Sequence, residues 1–319
     1  FRSVRTTKVG IVLGNRYELK GLLGQGASSR VYLADDLVAK RPVALKAFGP
    51  TSPAARARFD REAEVMMAVR HPNVIRIFDV GAQSNGAPFF VLELLRGETL
   101  GDYLRREKRV APELALDLVR QAAAGLAAAH AVGVVHRDVK PDNLYLVGDP
   151  GEPFGLKLID FGLAKLQARS SKSSAGVVLG TVSYMAPEQI LCEPLDARAD
   201  VYALGVTLFR TIAGELPFDG AADLDVLAQH LFAPAPSLAA REPSVDMRVD
   251  IVLRAALRKN PENRYATMEA MRDDLARLVG LAAGEPTGAP LRKPRDAYEP
   301  RSDAGRATAH ALRAHWPGP

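Results

Sequence analysis

The 319-residue chain has a single cysteine, Cys192. A lone cysteine can neither close an internal disulfide nor supply a cysteine metal cluster, and it fits a reducing compartment. Long apolar runs are also missing. The longest weakly polar stretch, Ala122 to Val135, is alanine-rich, carries His130 and reads as a buried helix followed by a strand, well short of the ~20 apolar residues that cross a bilayer. Ile11-Val12-Leu13 is too short for the apolar core of a signal peptide. The expectation is a cytoplasmic chain without a membrane span, a membrane anchor beyond Pro319 being left open. No internal repeat is found.

A charge surplus over the body of the chain is lacking too. The net charge is +5; residues 1–15 supply three positive charges (Arg2, Arg5, Lys8) and no acid, residues 280–319 supply two more, and the stretch between is neutral. Basic ends on a neutral body are not the electrostatic footprint of a nucleic-acid reader, so no nucleic-acid partner is expected. The apolar fraction of 47% and charged fraction of 25% are those of an ordinary globular protein, and the length allows two packed lobes.

What is present begins as strands. Tyr17–Gly24, Arg30–Asp35 and Val43–Ala47 are short runs rich in Val, Leu and Tyr between Gly, Asp and Pro punctuation. Ala54–Val69 places Phe59, Ala63, Met66 and Met67 at helical spacing. Strand-like runs return at Val74–Val80 and Phe89–Leu94, and after Arg96-Gly97-Glu98 the pattern turns helical. Pro112 opens one helix, where a missing N–H is harmless; others are expected at Asp200–Ala213, Leu224–Leu231, Val249–Arg258 and Thr267–Val279. Beyond Gly280 the Pro, Gly, Ala and Arg content without sustained periodicity predicts a disordered tail or linker.

Four segments carry chemistry. Gly24-Gln25-Gly26-Ala27-Ser28-Ser29-Arg30-Val31 lies between strand-like runs, where glycines let backbone N–H groups approach phosphate oxygens; on its own such a segment is more often a plain glycine-rich hairpin turn. A strand rather than a helix follows it, which disfavours a dinucleotide fingerprint. Lys46 closes the apolar run Val43-Ala44-Leu45, where a buried ammonium needs an anionic partner; by itself it is as readily a surface lysine. Glu62, sixteen residues on, can be that partner, whereas Glu64 lies about 200° round the helix from Glu62. His136-Arg137-Asp138-Val139-Lys140-Pro141-Asp142-Asn143 gathers a carboxylate, an ammonium and an amide, and Asp160-Phe161-Gly162 begins seventeen residues past Asn143. Asn143 and Asp160 are oxygen ligands suited to Mg²⁺.

In that order these segments resemble the protein kinases, in the style of the bacterial eukaryotic-like serine/threonine enzymes. The resemblance runs from Tyr17 to Val279 and includes Gly180-Thr181, Tyr184-Met185-Ala186-Pro187-Glu188, Asp200-Val201-Tyr202-Ala203-Leu204-Gly205 and Pro261-Glu262-Asn263-Arg264. It implies an α+β two-lobe fold, a small β-rich lobe at about 17–95 and a helical lobe at about 96–279, with residues 1–16 as an extension. It further implies ATP and Mg²⁺ as cofactors and protein substrates with Ser or Thr acceptors. Asp138 then acts on the acceptor hydroxyl, and Lys140 offsets charge on the transferred phosphoryl. Lys46, set by Glu62, holds the α- and β-phosphates; Asn143 and Asp160 bind Mg²⁺; and residues 24–31 cover the phosphates. Leu23, Val31, Ala44 and Tyr145 enclose the adenine, whose polar edge meets the backbone of Glu93 and Leu95, with Leu92 as gatekeeper. An ion pair between Glu188 and Arg264 is implied as well.

Two residues depart from the family pattern: Ser29 stands where a third loop glycine is usual, and Tyr145 is bulkier than the usual Leu or Met. Arg137 before Asp138 is the arrangement associated with a phosphorylated activation loop. Among Ser170, Ser171, Ser173 and Ser174, the last two stand nearest Gly180-Thr181; the stretch is also simply a serine-rich loop. A scaffold without turnover is disfavoured by intact Lys46, Glu62, Asp138, Asn143 and Asp160. A small-molecule phosphotransferase of related fold is disfavoured by the Asp-Phe-Gly and Ala-Pro-Glu pair. Oligomeric state is left open.

Overall fold

The computed structural model describes residues 10–26, 29–50, 52–148, 155–161, 182–280, 298–316 and 318. These fall into two units, one ending at Arg96 and one starting at Gly97.

The first unit is an antiparallel six-stranded sheet with one helix. Strands β1 (Val12–Leu13), β2 (Tyr17–Gln25), β3 (Ser29–Asp36), β4 (Arg41–Phe48), β5 (Ile77–Ala82) and β6 (Pro88–Leu92) lie in the order β1-β2-β3-β4-β6-β5, and helix α1 (Pro53–Ala68) joins β4 to β5. Side chains alternate between faces along a strand, and β4 shows the consequence. Val43 and Leu45 enter a core with Tyr17, Leu19, Tyr32, Ala34, Phe89 and Val91. Ala44 and Phe48 face the other way and pack on Phe59 and Ala63 of α1 together with Phe90 and Leu92. Phe48, Phe59 and Phe90 meet at ring-centroid separations of 5.3, 5.7 and 4.7 Å.

The second unit is mainly helical. Its described elements are β7 (Gly97–Thr99), α2 (Leu100–Glu107), α3 (Pro112–Ala131), β8 (Leu144–Val147), β9 (Gly155–Leu158), α4 (Pro187–Ile190), α5 (Arg198–Ala213), α6 (Asp223–Phe232), α7 (Leu238–Arg241), α8 (Arg248–Ala256), α9 (Met268–Leu278) and α10 (Asp303–His315). Strands β7, β8 and β9 form a small antiparallel sheet. A helix apolar on all sides must be central. Helix α5, buried from Ala199 to Phe209, is that helix, and α3, α8 and α9 pack on it. Gly214, left-handed at φ +76°, ends it, a conformation open to glycine at little cost.

Beyond Gly280 the expectation of a disordered tail fails for residues 298–316. Helix α10 packs on α6, and Tyr298, Ala309 and Leu312 are buried with Leu191, Ala228 and Leu231. Its inward stripe is Gly305, Ala309 and Leu312, small residues at helical spacing whose weak hydropathy hides the pattern. Residues 281–297 lie outside the described residues. Among the described residues no helix is long and apolar enough to cross a membrane.

Candidate active site

The candidate residues divide between the two units. In the first, Lys46 sits between Ala44 and Phe48 on β4, opposite Val31 of β3 and Phe90 of β6. Alternation therefore turns it to the face on which α1 packs. Its ammonium lies 5.7 Å from the Phe48 ring centroid. Of the two candidate carboxylates on α1, Glu62 is half-buried, one helical turn from Phe59, and Glu64 is exposed. Val31 packs against Ala44 in the same apolar cluster. The glycine-rich turn leaves Leu23, Gly24, Gln25 and Gly26 exposed, with Gly26 N–H donating to the Ser29 carbonyl at 2.9 Å. Ala27 and Ser28 lie outside the described residues; Arg30 is exposed. Leu92 is in the core beside Ala44 and Phe90. Glu93 donates its N–H to the Arg76 carbonyl at 3.0 Å and accepts the Arg76 N–H on Oε1 at 2.8 Å, which fixes the chain where β6 ends. Leu95 is half-buried.

In the second unit the loop 136–143 is built around one buried carboxylate. Asp200, 1% exposed, lies in the first turn of α5. Its Oδ2 accepts the His136 N–H and its Oδ1 the Arg137 N–H, both at 2.8 Å, while His130 Nε2 reaches Oδ2 at 2.8 Å. His136 is fully buried, and burial pushes its imidazole below the usual range. Its Nδ1 accepts the Asp138 N–H at 3.3 Å, which leaves Nε2–H to donate to the Ile159 carbonyl at 3.1 Å. The His136 ring also lies 4.5 Å from that of Phe161. One histidine thus joins the backbone just before Asp138 to the backbone just before Asp160.

Arg137 (φ +65°) and Asp160 (φ +57°) both occupy the left-handed region, which a non-glycine residue holds only when its surroundings fix it. The Asp200 clamp and the Gln189 amide, which donates to the Arg137 carbonyl at 2.9 Å, fix Arg137.

Asp138, Lys140 and Asn143 converge. Lys140 Nζ is 3.0 Å from Asp138 Oδ2. Asn143 Nδ2 donates to the Asp138 carbonyl at 2.7 Å and to its Oδ2 at 3.1 Å. That orientation leaves Oδ1 as the amide's ligand atom. Asn143 also accepts the Ile159 N–H on its backbone carbonyl at 3.0 Å, so Asn143 and the exposed Asp160 belong to one hydrogen-bonded corner. One carboxylate and one amide oxygen suit Mg²⁺, which takes few protein ligands and completes its shell with phosphate and water. Among the described residues no group of three His, Cys, Asp or Glu could hold a metal by itself. Tyr145 on β8 donates its hydroxyl to the Gly97 carbonyl at 2.7 Å. Gly97 needs its lack of Cβ, because at φ +131° an added methyl would meet the Leu146 carbonyl oxygen at 2.0 Å.

The implied ion pair is present and buried. Arg264 meets Glu188 through two parallel bonds of 2.7 and 2.8 Å, and its three other N–H groups donate to the carbonyls of Arg258, Arg198 and Lys259. Phospho-acceptor candidates Ser170, Ser171, Ser173 and Ser174, with Gly162, Gly180 and Thr181, lie outside the described residues. Sequence reasoning quoted Asp200 and His136 without giving either a task. The available signal was a carboxylate in an otherwise apolar helix, which demands donors from elsewhere.

A β-sheet unit followed by a mainly helical unit is the element order of a two-lobe α+β fold. The protein kinase domain family matches residues 17–276, and the chain belongs to that family. Among curated relatives, the serine/threonine-protein kinase PknB of Mycobacterium tuberculosis is 37% identical over 286 residues, covering 87% of this chain and 45% of that protein. The serine/threonine-protein kinase PrkC of Bacillus subtilis is 34% identical over 271 residues, covering 84% of this chain and 41% of that protein. The chain thus spans less than half the length of these relatives. The crystal structure of Rad53 1–466 in complex with AMP-PNP resembles it with a TM-score of 0.67 at 23% identity, over 81% of this chain and 64% of that one, a likeness of fold.

Proposed function

We propose that the chain is a serine/threonine protein kinase domain that transfers the γ-phosphoryl of ATP to hydroxyls of protein substrates. The observation that carries this reading is the set of contacts on Asp138: Lys140 at 3.0 Å and Asn143 at 3.1 Å from one carboxylate oxygen. Asp138 orients the acceptor hydroxyl and takes its proton. Lys140, already beside that carboxylate, is placed to offset charge on the phosphoryl in transit. Lys46 holds the α- and β-phosphates with Glu62 as its counter-charge, and the backbone of residues 24–31 covers them. Asn143 and Asp160 hold Mg²⁺, which when bound neutralises phosphate charge and aligns the leaving oxygen. The family resemblance assigns the adenine to Leu23, Val31, Ala44, Leu92 and Tyr145, with its polar edge on the backbone of Glu93 and Leu95.

Protein acceptors are favoured by the Glu188–Arg264 pair, which anchors the residues just after the peptide-facing segment, and by the names of the relatives. Lys140, two residues past Asp138, favours Ser and Thr over Tyr. The test is phosphorylation of the chain itself or of a generic basic protein with Mg²⁺ and ATP. Asp138→Asn is expected to lower the rate by about 10²–10⁴-fold, with nucleotide binding retained because the change does not touch ATP. Lys46→Met is expected to cripple turnover while the fold persists. Near-parental turnover by Asp138→Asn would take the assigned role from Asp138.

A further inference from the structure

Residues Tyr298–His315 lie past the last residue matched by the kinase family, yet they contact segments on both sides of its buried ion pair. Glu193, 4% exposed, follows Glu188 by five residues, past the end of α4, and donates its backbone N–H to the Glu188 carbonyl at 2.9 Å. Its carboxylate accepts the Tyr298 hydroxyl and the Arg301 N–H, both at 2.6 Å, and the Ser302 N–H at 3.1 Å. On the Arg264 side, Asn260 Oδ1 accepts the Glu299 N–H at 3.0 Å, and Arg301 pairs with Glu262 at 2.6 Å. Between them Tyr298 N–H donates to the Leu231 carbonyl at 2.8 Å. The preceding residue of α6, His230, reaches the Ser183 carbonyl with Nε2 at 3.1 Å. Tyr298, Ala309 and Leu312 fill the apolar space between Leu191 and α6. A Cβ at Gly305 would stand 2.6 Å from Glu193 Oε1 and 2.9 Å from Ser302 Oγ, so these side chains would have to shift and give up their present hydrogen bonds.

We propose that Glu193 is a positioning residue for peptide phosphorylation and that Tyr298–His315 is the strap through which it acts, holding residues 183–193 in the shape that receives the protein substrate. The inference deepens the kinase reading and rests on it for its kinetic consequence. An unpartnered buried carboxylate is unstable, so loss of the strap obliges Glu193 to turn toward water and draws the chain after Glu188 with it. The strap's contacts named above fall on Leu191, Glu193, Ala228, Leu231, Asn260 and Glu262, so the effect falls on the protein substrate.

The experiment uses the full chain with Gly305→Ala, Leu312→Glu, Tyr298→Phe, Glu193→Gln and, as control, Ala307→Glu on the exposed face of α10. Undocking by Gly305→Ala or Leu312→Glu is expected to raise KM for a generic basic protein about tenfold, a typical coupling between sites, with KM for ATP within about twofold. Tyr298→Phe, which keeps the ring and removes one donor, is expected to fall between these and the control. Hydrogen exchange gives a readout independent of turnover: amides 183–193 should exchange faster in both undocked variants and unchanged in the control. Freed amides at 299–312 with unchanged exchange at 183–193 and unchanged KM would overturn the proposal. So would a strap still protected in Leu312→Glu. Should Leu312→Glu fail to fold, Gly305→Ala and Tyr298→Phe decide the matter. A parent chain that phosphorylates nothing refutes the kinase reading, while the exchange result still decides the coupling.

Discussion

Arg264→Met isolates the energetics of the ion pair in the second unit. The guanidinium, 0% exposed, spends all five N–H groups, two on Glu188 and three on backbone carbonyls of separate segments. Methionine fills similar length but leaves the Glu188 carboxylate, 2% exposed, without its counter-charge. Breaking a buried pair in this way costs about 3–5 kcal/mol. At roughly 2–4 °C per kcal/mol for a domain of this size, Tm falls by about 6–20 °C. The double variant Arg264→Met with Glu188→Met removes the stranded charge and should recover about 2 kcal/mol of that loss. Recovery stays partial because the carbonyls of Arg258, Arg198 and Lys259 lose their donor in either case. Arg264→Lys should lie between, since an ammonium has three donors and no planar fork. Chemical denaturation of the parent, Arg264→Met, Glu188→Met, the double variant and Arg264→Lys at one pH is the assay. A single variant within about 1 kcal/mol of the parent would refute the reasoning, as would a double variant whose loss equals the sum of the singles.

Stability should also decline in mild acid. Burial, with Lys259 nearby, lowers the His230 pKa from 6.5 to about 3, so the unfolded chain binds more protons between those values; the contribution is intact above pH 6.5 and lost as pH falls, by about 1.4 kcal/mol per unit for one such group. Buried His136 shifts in the same direction, and a denaturation midpoint equal at about pH 7.5 and about pH 5 would contradict both. Asp160→Ala should abolish the thermal shift given by Mg²⁺ with ATP, which for the parent amounts to about 2.7 kcal/mol at a ligand concentration of 100 Kd; a full shift in the variant removes Asp160 from the metal site.

Elements with a clean period could be read from the chain. Expected strands at Tyr17–Gly24 and Val43–Ala47 are observed at Tyr17–Gln25 and Arg41–Phe48, and the helix expected over Ala54–Val69 spans Pro53–Ala68. Ion pairing of Glu188 with Arg264 was implied by the family resemblance, since 76 residues separate the partners and no local pattern links them. Helix α10 was hidden because its buried face is Gly, Ala and Leu among Arg, His and Asp, a composition that reads as tail. Its stability comes from Glu193 and Leu231, which are remote in sequence, and not from its own hydropathy. Glu193 looks like a surface carboxylate until the donors that surround it are known.

Those two carboxylates, with Glu188, account for how a mobile chemistry rests on a fixed base. Each accepts from groups far away in the chain: Asp200 from His130, His136 and Arg137; Glu188 from Arg264; Glu193 from Tyr298, Arg301 and Ser302. Backbone N–H groups held by an ionised acceptor cannot shift without exposing a charge to an apolar interior, so the left-handed Arg137 stays in place at a tolerable strain. The residues proposed to touch substrate have the opposite character. Asp138 and Lys140 keep 17% and 19% of their side-chain surface, and Asp160 is exposed, so the atoms proposed to act on substrate keep access to solvent. Burial sets the backbone, and exposure at the end of that rigid backbone leaves the functional atoms available.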